Sequence, residues 1–112
     1  MKIATQDKIN LLENPQFVSG KPTKTPIAAI QGVTLIKIAI QAGDELPSHH
    51  VDMAAFAVLL EGQAIFVIEE KRHPITTGAF VEIPKSAEHS ITAEEDSIFL
   101  VGIMGAVSEG AC

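Results

Sequence analysis

The sequence has no tryptophan or tyrosine and only five phenylalanines among 112 residues. It therefore lacks the aromatic platforms that proteins use to stack sugars or unpaired bases. Its single cysteine, Cys112, cannot form an internal disulfide, and no neighbours are in place to activate a terminal thiol. Basic residues are scarce. Eight Lys and Arg stand against fourteen Asp and Glu, for a net charge of −6, and the one adjacent basic pair, Lys71-Arg72, directly follows Glu69-Glu70. Phosphate recognition needs clustered cations, so neither nucleic acid nor an anionic membrane surface is an expected partner. The apolar run at residues 54–60 is too short to span a bilayer. Lys2, Gln6 and Asp7 interrupt any apolar core of a secretory signal, which makes the cytoplasm the expected compartment.

What remains is a chain with 46% hydrophobic residues, enough for the core of one domain. Residues 1–26 read as an N-terminal arm: Asp7 caps a short helical turn carrying Ile9 and Leu12, Asn14-Pro15 ends it, and a polar extended segment follows. From residue 30 onward the pattern becomes β-like. Residues 33–41, 55–60, 64–69, 79–83, 89–93 and 97–104 are short apolar runs separated by turn-forming clusters every eight to twelve residues. This predicts an all-β sandwich or barrel. Gly62-Gln63 suggests a two-residue hairpin, and His73 beside Pro74 suggests a turn. Phe56, Val58 and Leu60 alternate with Ala55, Ala57 and Leu59, so both faces of that strand are apolar; residues 97–104 repeat the pattern. One face can line a barrel. The other needs a cover, for which a second subunit in a homodimer is the favoured expectation and the N-terminal arm the alternative.

The histidines narrow the chemistry. Gly43, His49 and Gly62 in one segment, and Gly78, Pro84 and His89 in another, keep the spacing of the two cupin motifs. Over residues 33–104 the chain thus resembles a small single-domain, RmlC-like cupin. That resemblance implies a double-stranded β-helix, or jelly-roll, barrel. It also implies a divalent metal (Fe, Mn, Ni or Zn) held by two histidines and a glutamate from the first motif and one histidine from the second. Here Val51 stands at the second histidine position and Ala55 at the glutamate position, while Ser86 replaces a usual glycine and Ala93 a usual asparagine.

Only His49 and His89 carry over as metal ligands, an incomplete set for a divalent ion. Val51 and Ala55 make the adjoining wall apolar, so His49, Val51, Ala55 and His89 are the expected pocket residues. An alternative ligand set joins His50 and Asp52, two apart on one strand face, to His89 as a two-histidine, one-carboxylate triad; it requires a bulge near Ser48 to turn them inward. Glu82 and Glu88 read as solvated surface. Two functions follow from the resemblance: a non-catalytic protein binding a small molecule, or a metal-dependent dioxygenase, isomerase or decarboxylase acting on a small carbonyl compound. A sensor role would need a separate DNA-binding partner, since no helix-turn-helix pattern is present.

Overall fold

The computed structural model describes residues 8–13 and 15–105, which form nine β-strands and no α-helix. The expected cap at Asp7, the helix stop at Asn14 and the thiol of Cys112 lie outside the described residues. Residues 8–13 contain only a turn, closed where the Asn10 side-chain oxygen accepts the Leu12 N–H at 2.9 Å. Among the described residues no helix is long and apolar enough to cross a membrane.

The strands are β1 (Thr23–Ile30), β2 (Val33–Ile40), β3 (Glu45–His49), β4 (Ala55–Glu61), β5 (Gln63–Ile68), β6 (Lys71–Thr76), β7 (Phe80–Ile83), β8 (His89–Ala93) and β9 (Ser97–Met104). They form two antiparallel sheets, ordered β1-β2-β9-β4-β7 and β3-β8-β5-β6. Apart from the β1–β2 and β5–β6 hairpins, each strand is followed by one in the other sheet, as in a jelly-roll. β1 begins at Thr23, inside the segment expected to be arm. Pro26 is tolerated because β1 is an edge strand, and a register shift follows it before Ala28.

The alternation read in β4 has a definite sense. Ala55, Ala57 and Leu59 are buried between the sheets, while Phe56, Val58 and Leu60 lie half-buried on the outer face. Phe66 of β5, Ile91 of β8 and Phe99 of β9 complete the core from both sheets. On the outer face, the Phe56 ring packs over Gly102, its cross-strand partner on β9, where any side chain would collide with it.

Two sequence expectations are corrected. Gly62 does not close a β4–β5 hairpin, because β4 and β5 belong to different sheets. Gly62 is instead the corner at which the chain crosses between them. Its φ of +120° and its approach to Ser97 and the Asp96 carbonyl leave no room for a Cβ. His73 lies within β6, opposite Phe66, rather than in a turn. The actual turn is Glu69-Glu70, with φ of 46° and 71°, which joins β5 to β6.

Candidate functional site

Between the sheets lies a cavity of about 150 Å³ whose walls include His49, Val51, Ala55, Phe66, His89 and Ile91. The two histidines reach it from neighbouring strands. Leu46 of β3 pairs with Ile91 of β8, yet His49 pairs with His89, so β3 spends three residues where β8 spends two. This is a bulge at Pro47 and Ser48. In an unbroken strand, buried Leu46 would share its face with Ser48 and His50, because side chains alternate. The extra residue resets the alternation and turns His49 inward.

A bulge near Ser48 is the condition under which His50 and Asp52 would turn inward; the bulge exists, but it delivers His49 instead. His50 and Asp52 are exposed and do not line the cavity. Asp52 instead accepts a 3.4 Å hydrogen bond from the Ser86 hydroxyl.

The His49 and His89 rings lie with centroids 4.2 Å apart and planes tilted by 58°, and the Phe66 ring lies nearly parallel to His89 with centroids 6.1 Å apart. Each imidazole is held by its own chain. Nδ1 of His49 meets the Pro47 carbonyl at 2.9 Å, and Nδ1 of His89 meets the Ala87 carbonyl at 3.0 Å. A carbonyl only accepts, so both Nδ1 atoms carry a proton. His89 is buried, with 7% of its surface exposed. Burial holds its pKa below the usual histidine value; the nearby His49 and His50 push the same way, and the bond to Ala87 opposes them.

The donor set does not suit a divalent metal. Val51 and Ala55 line the cavity with methyl groups, and among the described residues no three His, Cys, Asp or Glu side chains converge as a metal cluster would. Lys24 of β1, Phe66 and Ile91 also line the cavity and were not singled out from the sequence. Strand alternation could have placed Phe66 and Ile91. Lys24 gave no signal until its pairing with Ile38 set it on the inner side of β1.

A two-sheet, jelly-roll barrel with a histidine-bearing interior defines a double-stranded β-helix protein. The cupin domain family model matches residues 36–103, and the chain belongs to that family. It is similar to an RmlC-like cupin from Desulfovibrio desulfuricans, at 27% identity and a TM-score of 0.82, covering 89% of this chain and 97% of that one. A protein from Thermus thermophilus, TT1209, shares 18% identity with a TM-score of 0.80, covering 88% and 97% of the two chains. A conserved Streptococcus pyogenes protein of unknown function shares 17% identity with a TM-score of 0.78 and 90% coverage of both chains. No curated protein matches the sequence.

Proposed function

We propose that this cupin is a non-catalytic protein that binds a small, largely apolar molecule inside its barrel, as a homodimer in the cytoplasm. The observation that carries the reading is the cavity wall: methyl groups of Val51 and Ala55 at the positions where relatives hold imidazole and carboxylate, beside only two imidazoles. A metal-dependent enzyme would need at least one further donor there. An apolar cavity of about 150 Å³ is large enough to hold a molecule the size of benzene.

The dimer is supported by the outer face of the five-stranded sheet. Phe80 is 63% exposed and stacks on Phe56 at 5.5 Å, and Ile30 is 55% exposed. The arm is tied to another part of this face, at the start of β1. Thr23, the partner of buried Ala39, donates to the Gln16 carbonyl at 2.6 Å, and Gly20 donates to Asp44 at 2.8 Å. A second copy related by a two-fold axis would cover the remainder.

Binding is tested by titrating the protein with toluene while following the amide signals of Ala55 and Ile91. The expected result is saturable binding that Ala55→Leu, which fills the cavity, removes. Absence of binding by toluene and by other small molecules of this size would overturn the reading.

A further inference from the structure

We infer that the cavity selects an uncharged molecule of about six to nine non-hydrogen atoms, with an apolar body and one O–H or N–H group donated to the His49–His89 pair. The inference rests on the small-molecule-binding reading above and adds the polarity of the ligand to it.

Both Nδ1 atoms are committed as donors, to the carbonyls of Pro47 and Ala87. A neutral imidazole has one proton, so Nε2 of each ring is left as a hydrogen-bond acceptor. Both side chains line the cavity, their ring centroids 4.2 Å apart, and neither Nε2 has a protein partner among the described residues. The cavity thus offers two neighbouring acceptors. The remaining side chains named in its wall are aliphatic or phenyl, apart from Lys24.

Acceptors set in an apolar wall discriminate by what they lack. A carboxylate or ketone placed beside Nε2 would set lone pair against lone pair and lose its water without compensation. A hydroxyl or N–H would supply the missing donor while the rest of the molecule displaces water from the aliphatic wall. Lys24 is the one group that argues for an anion. It sits on edge strand β1, paired with Ile38, and is exposed, so its ammonium can stay hydrated at the rim.

The test uses four probes of similar size on the unaltered protein: phenol, toluene, anisole and benzoate. Phenol is expected to bind about three- to tenfold more tightly than toluene or anisole, the gain of one net hydrogen bond, with benzoate weakest. His49→Leu or His89→Leu should bring phenol down to the affinity of toluene and leave toluene nearly unchanged. Nitrogen-15 spectra of the imidazoles should show protonated Nδ1 and bare Nε2 in both rings, with an Nε2 signal moving when phenol is added. This measurement decides the matter even where a histidine variant fails to fold.

Equal binding of phenol, toluene and anisole would overturn the inference while leaving the binding cavity intact. Tightest binding by benzoate would overturn it in favour of recognition through Lys24. Protonated Nε2 in both rings would remove its basis. Binding by none of the four would overturn the underlying reading as well.

Discussion

His89 couples the cavity to the stability of the fold. Its pKa is lowered in the folded protein, chiefly by burial, so the unfolded chain takes up the proton more readily. The associated stability is fully present above the unfolded value of about 6.5 and is lost as pH falls from there through the folded value. Thermal unfolding followed from pH 8 to pH 5 should show the melting temperature falling over that window, and His89→Leu should flatten the dependence. Gly62 is the other residue with an identifiable cost. Alanine there would meet the Ser97 side chain and backbone at a φ of +120°, and Gly62→Ala should lower unfolding stability by about 2–4 kcal/mol in denaturant titrations. The spacing of Gly43, His49 and Gly62 placed His49 in the pocket only through resemblance to a motif, and the backbone feature that turns it inward was not legible. That feature is a single extra residue in β3, and Pro47 is its only local hint. Ser86 is a further case: its φ of 63° lies in the left-handed region that suits the glycine usual at this place, a requirement invisible in the serine itself.

At the scale of the strand, turn chemistry was legible and pairing was not. Runs of branched residues between Gly, Pro and acidic clusters marked β2, β4, β5, β7, β8 and β9 to within a few residues. Gly62-Gln63 carried the chemistry of a tight turn, yet a hairpin and a sheet-crossing corner demand the same backbone freedom, and only the strand pairing distinguishes them. The β1 strand was obscured by Pro22 and Pro26, which an edge position accommodates. The β5–β6 turn goes against local preference, since Glu69 and Glu70 both adopt left-handed backbone without being Gly or Asn. Replacing the pair by Asn-Gly should therefore stabilise the protein by about 1 kcal/mol, read as a higher denaturation midpoint with an unchanged slope. A lower midpoint would contradict the assigned turn.

For the whole molecule, the doubly apolar strands already implied that one sheet face needs a cover. The structure shows how that need divides. The part of the face at Ala39 and Ile98 is buried within the single chain, while Phe80 on edge strand β7 and Ile30 on edge strand β1 remain exposed. Light scattering at micromolar concentration should give twice the monomer mass, and Phe80→Glu should shift the protein to monomer; a wild-type monomer under these conditions would contradict the proposed dimer. The barrel itself was legible because six anchors in two motifs recur at fixed spacing. Its chemistry was legible only as a deficit, in Val51 and Ala55.

Metal content of the purified protein bears most directly on that deficit. After incubation with Fe²⁺, Mn²⁺, Ni²⁺ and Zn²⁺ and desalting, elemental analysis should find far less than one ion per chain, because two imidazoles in an aliphatic wall hold a divalent cation poorly. Near-stoichiometric metal that disappears in His89→Ala would contradict the account.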